Sequence, residues 1–456
     1  MMKRGSFNSK LGFILAASGS AVGLGNIWKF PFEVSNGGGA AFLMMYLFFC
    51  FILCFPVIVS EIAIGRKTNK NAIGAFNELG HNKWNFIGKM GVLCGVLILS
   101  FYTVVAGWVL GYVIEMITGN FDISDNFGSY VNNIQNVFVY SILFMFFTAL
   151  IVSRGVEKGI EKAAKILMPS LIIIILLLII YALTLPNSIE GIIFYLVPDF
   201  SQINLTVAGN ALGQAFFSLS LGMGMLITYG SYVDSKNNII NSAALITLTD
   251  VGIAFLSGLI IFPFVFSSGI ETEGGPGLIF QVFPKIFQNL GDVTGIVVGS
   301  TFFILLSFAA ITSTVSLLEV PVSYLVDEYK IDRKYSVWIV AFVILLIGIP
   351  SALSQGKYQF FSEFISYFGS EKPVDFMTFI IDVSNDTLLP FGGFMITMYV
   401  TYIWKKKNLS EEISKGNPGY KGSSVEKYIN ISISYICPLI LGTIFVVTFL
   451  NKFFGF

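Results

Sequence analysis

Charge is the first thing this chain lacks. Only 12% of its 456 residues are Asp, Glu, Lys or Arg, and the two signs cancel at 27 each. A soluble chain carries about twice that share, which argues against a large soluble enzyme. The zero balance leaves no basic stripe, so no nucleic-acid partner is expected. Histidine is nearly missing: His81 is the single one, in a loop where it reads as a solvated surface residue. Serines in the apolar runs therefore have no base within reach, and no enzymatic activity is expected. The cysteines number four, and Cys50, Cys54, Cys94 and Cys437 all lie inside apolar runs. They form no metal-ligand spacing or disulfide framework and read as inert buried thiols. No cleavable leader is expected either, because the first apolar run holds glycines and continues into a polar stretch.

Apolar residues fill the space that charge leaves. They make up 55% of the chain, with 46 phenylalanines. Apolar runs of about 20 residues, each able to cross ~30 Å of hydrocarbon, recur throughout. The lipid bilayer is the partner they imply. Eleven spans are expected, at 11–35, 40–65, 88–118, 134–153, 163–184, 208–232, 239–267, 294–326, 335–353, 375–404 and 428–452. The loops test that count. With the N-terminus in the cytoplasm, successive inner segments hold three, five, four, one, three and six basic residues, 22 in all. Outside fall only Lys285, Lys357, Lys372 and Lys452, while Lys29 sits within a span. A miscounted helix would invert every later loop, so the bias supports this topology, with the C-terminus outside.

Two spans break the rules of a plain membrane helix. Span 1 reads GSAVGLGN over 19–26, then Lys29 and Pro31; span 6 reads SLSLGMG over 218–224. Glycine at this density permits non-helical backbone. At membrane depth such backbone needs partners, which only a protein-lined polar cavity offers. Five spans separate the breaks, and five is odd, so the corresponding helices run in opposite directions. That pattern marks an inverted repeat with a binding site at the midplane. Glycine-rich packing faces are the competing explanation.

The stretches LGFILAASGSAVGLGNIWKFPF (11–32), NGGGAAF (36–42), QAFFSLSLGMGMLITYGSY (214–232) and ITSTVSLLEVP (311–321) closely resemble the neurotransmitter:sodium symporter family. The likeness is to its bacterial, amino-acid-carrying, eleven-span branch and runs from Arg4 through span 10. It implies an all-α integral membrane protein with a LeuT-type 5+5 inverted repeat, helices 1 and 6 being unwound at the midplane. The repeats would cover 1–184 and 208–404, with span 11 in 428–456. It also implies alternating access around one amino acid and two sodium ions (Na+) in a bacterial cytoplasmic membrane.

By the same resemblance, one sodium would sit among Ala21, Asn26, Ser218 and Asp250. The second would sit among Gly19, Val22, Ala309, Thr312 and Ser313, although hydroxyls bonded back to their own helix explain Thr312 and Ser313 equally on local grounds. The substrate carboxylate would meet the amides near Leu24 and Gly25, at the positive end of a half-helix, and the Tyr102 hydroxyl. Carbonyls at Ala21, Phe217 and Ser220 would hold its ammonium. Phe217, Met223, Ser313 and Leu317 would face its side chain, and the adaptable thioether of Met223 suits large or aromatic groups. A hydrophobic or aromatic L-amino acid is therefore expected. A carrier of a small aliphatic amino acid or amine, or a sensor or channel on the same fold, is the alternative.

Relatives usually carry asparagine where this chain has Asp250, and the chloride-binding serine of animal relatives is replaced by Ala254. The carboxylate would supply the charge that chloride otherwise brings, so no chloride requirement is expected; a helix-anchoring Asp250 is the alternative reading. Lys29 should pair with Asp382 as an outer gate, with Asp375 a competing partner and headgroup snorkelling a competing role. Phe217 and Tyr102 would form the lid, and Arg4 should pair with Asp327 as an inner gate. Glu61 is expected to bond to the broken first helix. Gly159 and Pro169 in span 5 could unwind that helix, and 273–292 is expected to form an outer loop with a helical hairpin. Beyond the substrate and the bilayer, the one protein partner allowed for is a second copy in a homodimer.

Overall fold

A chain in hydrocarbon has to satisfy every backbone N–H and C=O from within, and this one does so with helices. The computed structural model describes residues 5–269, 278–356, 358–369 and 372–455. Nine of the described helices are long and apolar enough to cross a membrane. A tenth candidate is the pair Lys10–Ala21 and Gly25–Asn36, bent by 52° at a three-residue break. These ten coincide with ten of the eleven expected spans. The remaining one, span 6, consists of Leu205–Ser218 and Met225–Gly230, joined by turns over 219–224. Each half alone is too short to cross, as an interrupted span requires. Exposed Ile166, Ile173, Leu177 and Ile180 on span 5, with Ile339 and Phe342 on span 9, face outward as a lipid-contacting belt would.

Both breaks lie against the interior. The first half of span 1 packs on spans 5, 7 and 8, while the long helices Asn82–Ile117 and Asp292–Tyr329 lie along each other behind it. In the span-6 break, Gly222 has φ +79, and a Cβ there would lie 2.4 Å from the Leu389 carbonyl oxygen of span 10. Only glycine meets both conditions. Ser220 adopts φ 55 without being glycine. That costs about 1–3 kcal/mol and is kept only where surroundings demand it. Its hydroxyl donates to the Ser20 carbonyl at 3.3 Å, joining one break to the other.

Val156–Ala182 runs as one helical stretch through Gly159 and Pro169, with a widened turn over Val156–Glu161. The helix absorbs the missing proline donor without unwinding. In the outer loop expected over 273–292, residues 270–277 lie outside the described set. The rest is helical over Leu278–Val282 and Phe283–Asn289, and Phe280 stacks on Phe127 at 5.5 Å. His81 is not a solvated residue: its Nδ1 lies 2.8 Å from the Tyr399 hydroxyl and its ring packs edge-on against the same tyrosine.

The second half of span 6 approaches span 2 closely. A Cβ on Gly65 would lie 1.9 Å from the Ile227 carbonyl oxygen, which is backbone and cannot turn aside. Gly65→Ala is expected to lower stability by ~1–3 kcal/mol, read as a reduced Tm of the detergent-solubilised protein. An unchanged Tm would contradict this contact.

Candidate functional site

A fully buried polar cluster forms where span 1 resumes after its break. Asn26 Nδ2 donates to Ser218 Oγ at 2.9 Å and to Asp250 Oδ1 at 2.7 Å. Ser218 Oγ donates to the same carboxylate at 2.9 Å, and the Tyr46 hydroxyl reaches its other oxygen at 3.2 Å. Asp250, Asn26 and Tyr46 are each 0% exposed. Among the described residues no Lys, Arg or His contacts Asp250. A buried carboxylate with hydrogen bonds but no cation is incompletely compensated. Ala21 lies beside this cluster in a shared cavity with Ser218. Tyr46 went unnoticed in the sequence, because a hydroxyl within an apolar span carries no pattern of its own.

A second group lies one turn back along span 1. The Val22 carbonyl accepts from Thr312 Oγ1 and Ser313 Oγ, each at 3.3 Å. Ser313 also reaches the Ser20 carbonyl at 3.2 Å, and Thr312 donates to Ala309 O of its own helix at 2.9 Å. The shortest of these bonds is the one Thr312 makes back to its own helix. Gly19 faces this group, since its Cβ would touch Thr312 Cβ at 3.3 Å.

Between the clusters sits a cavity of about 30 Å³ lined by Ala21, Gly25, Tyr102, Phe217, Ser220, Met223, Ser313 and Leu317, along with Ser20, Gly23 and Ile98. Leu24 adds its amide, which donates to the Tyr102 hydroxyl at 2.9 Å. Outward of Phe217 and Tyr102 lies an apolar cavity of about 380 Å³ that includes Trp28, Phe101, Val105 and Trp108. The Phe217 ring lies over Gly25, where a Cβ would come within 2.7 Å of it. The remaining freed backbone is met by side chains. Gln214 Nε2 donates to Gly25 O at 2.9 Å, and Ser257 Oγ to Asn26 O at 2.6 Å.

Comparison with known proteins accounts for this arrangement. The model of the Sodium:neurotransmitter symporter family matches residues 4–133 and 126–453. The chain belongs to that family. It is 35% identical to YhdH, an uncharacterized sodium-dependent transporter of Bacillus subtilis, over 97% of this chain and 96% of the relative. An uncharacterized sodium-dependent transporter of Methanocaldococcus jannaschii is 36% identical over 91% and 85%. The crystal structure of MhsT in complex with L-phenylalanine matches with a TM-score of 0.89 and 39% identity, covering 98% of this chain and 100% of that one. This symporter-family chain is thus a sodium-dependent, multi-pass membrane transporter with the LeuT-type fold.

The expected outer gate pair is not made in this structure. Lys29 does not pair with Asp382. Its ammonium lies 5.0 Å from the Phe217 ring centroid, a cation–π contact rather than a route to headgroups. Asp382 is occupied from the other side by Lys452 of span 11 at 2.6 Å, and it accepts from the Tyr367 hydroxyl at 2.9 Å. Asp375 is no partner for Lys29 either. It caps the start of span 10, accepting from Thr378 N at 3.1 Å and Ser354 Oγ at 3.1 Å. On the inner side Arg4 lies outside the described residues, while Asp327 accepts from the Asn71 amide at 3.1 Å. Glu61 serves the other break from the one expected: its Oε1 accepts from Gly222 N of span 6 at 2.8 Å.

Ser218 gives Asp250 its shortest hydroxyl contact, so Ser218→Ala leaves a buried carboxylate one donor short. The expected loss is ~1–3 kcal/mol in sodium-free buffer, seen as a lower Tm. An unaltered Tm would mean that the hydroxyl does not support Asp250.

Proposed function

We propose that this chain imports a hydrophobic or aromatic L-amino acid with two sodium ions, by alternating access and without chloride. The observation that carries the reading is Asp250: buried, contacted by Asn26, Ser218 and Tyr46, and facing no basic side chain among the described residues. Sodium prefers oxygen ligands and would neutralise that carboxylate. The Ala21 carbonyl and the substrate carboxylate would complete its shell. A second sodium would draw on the carbonyls of Gly19, Val22 and Ala309, with Thr312 and Ser313 turning their hydroxyl oxygens toward it. Because both sites use backbone freed at a helix break, ion and substrate binding favour one geometry of spans 1 and 6 together.

The lining of the central cavity supports this substrate class. Ile98, Met223 and Leu317 give an apolar wall, and the Tyr102 hydroxyl, which accepts from the Leu24 amide, keeps its own proton to donate to a carboxylate. A free volume of about 30 Å³ is smaller than an aromatic side chain, so Phe217 and Met223 must shift to admit one. Met223 has the rotamers to do so. That MhsT was solved with L-phenylalanine supports the same class. The repeats 1–184 and 208–404 would rock about this site in a cytoplasmic membrane, N-terminus inside and C-terminus outside.

Uptake into proteoliposomes tests the reading. Labelled phenylalanine or tryptophan should accumulate only along an inward sodium gradient, equally in chloride and gluconate. Unlabelled leucine should compete better than glycine or a decarboxylated amine. Asp250→Asn should raise the sodium concentration for half-maximal uptake roughly tenfold or more, with partial recovery in chloride. Unchanged sodium affinity with no chloride requirement would contradict the charge-substitution account.

A further inference from the structure

The outer ends of spans 1, 6, 10 and 11 enclose a cavity of about 590 Å³ that adjoins the apolar one above Phe217, sharing Lys29, Glu33 and Ile381 with it. Lys29 and Glu33 face it from span 1, Asp382 and Asp386 from span 10, and Lys452 from span 11. Asp382 and Asp386 stand one helical turn apart and share a single cation. Lys452 Nζ lies 2.6 Å from Asp382 Oδ1 and 2.9 Å from Asp386 Oδ2. Lys29 lines the same cavity, its ammonium resting on Phe217. The cavity thus holds two ammonium groups and three carboxylates, and Lys452 alone spans Asp382 and Asp386.

Lys452 is not a wandering surface lysine. The residues after it are docked on the loop before span 10: the Phe453 ring packs against Tyr367 at 4.9 Å, and the Phe453 carbonyl accepts from Phe368 N at 3.2 Å. Tyr367 in turn donates to Asp382. The last span is therefore anchored beside the carboxylate that the outer gate needs.

We propose that Lys452 is the outer-gate positioning residue of span 11. It holds Asp382 while the gate is open and yields it to Lys29 as the gate closes, falling back on Asp386 so that no ammonium is left unpaired. The proposal rests on the alternating-access reading above, with Lys29 and Phe217 as the moving side of the gate. It gives a span outside both repeats a part in the conformational equilibrium. Because the ion pair is partly exposed, its removal should bias that equilibrium modestly, by roughly two- to five-fold.

A cysteine at Gly213 reports on the gate. Gly213 lines this cavity, a Cβ there meets no atom within 4 Å, and the four native cysteines are buried. Labelling by a membrane-impermeant thiol reagent is measured on the full chain in proteoliposomes, in sodium alone and in sodium with L-phenylalanine. In the Gly213→Cys background the rate should fall when phenylalanine is added; no fall overturns the alternating-access reading and this proposal with it. Lys452→Met should slow labelling in sodium alone roughly two- to five-fold, Lys452→Arg should restore it, and Lys29→Met should raise it. Lys452→Met should have no effect when Asp382→Asn is already present. If phenylalanine protects the cysteine but Lys452→Met labels like its parent, the proposal alone is overturned.

Discussion

A carboxylate taken out of water needs either a proton or a cation beside it, because an isolated buried charge is far too unfavourable to persist. Asp250 sits under that constraint. Its two oxygens receive hydrogen bonds from Asn26, Ser218 and Tyr46, which orient the group and spread its charge but do not neutralise it. Around this point the architecture becomes intelligible. Span 1 breaks where Asn26 must turn inward, span 6 breaks just beyond Ser218, and span 7 carries Asp250 between them. On the reading proposed here, the missing positive charge is the transported ion.

The breaks would be costly if their backbone were left bare, yet several of the freed groups have partners. Leu24 N meets Tyr102, Gly222 N meets Glu61, and the carbonyls of Ser20, Gly25 and Asn26 accept from Ser220, Gln214 and Ser257. Such exchangeable bonds suit a site that must fill and empty. A hydroxyl that donates to a carbonyl can rotate and offer its oxygen to a cation instead, so ion entry replaces one favourable contact by another. Net binding then depends on small differences, which is how a carrier avoids becoming a trap.

Much of this was legible in the sequence, because its signals are local. Apolar runs and basic loops located the spans, and glycine density located both breaks. Resemblance then assigned Asn26, Ser218 and Asp250, which the structure brings within hydrogen-bonding distance of one another. What stayed hidden depends on contacts between distant segments. Tyr46, Gln214 and Ser257 each place one polar group at the site from an otherwise apolar or unremarked stretch. Glu61 is expected at the break of span 1 but meets that of span 6, since only packing shows that span 2 lies against Gly222. The outer gate was only partly legible for a related reason. A pairing rule carried over for Lys29 and Asp382 could not anticipate Lys452, 70 residues beyond Asp382 and on a span outside the repeats.

The most direct test of the central claim is crystallographic. Crystals grown with thallium(I) in place of sodium should show an anomalous peak bounded by Asn26, Ser218 and Asp250, with the interruptions of spans 1 and 6 in place around it. A thallium-saturated protein with no peak there, or one in which a basic side chain reaches Asp250 instead, would contradict the account.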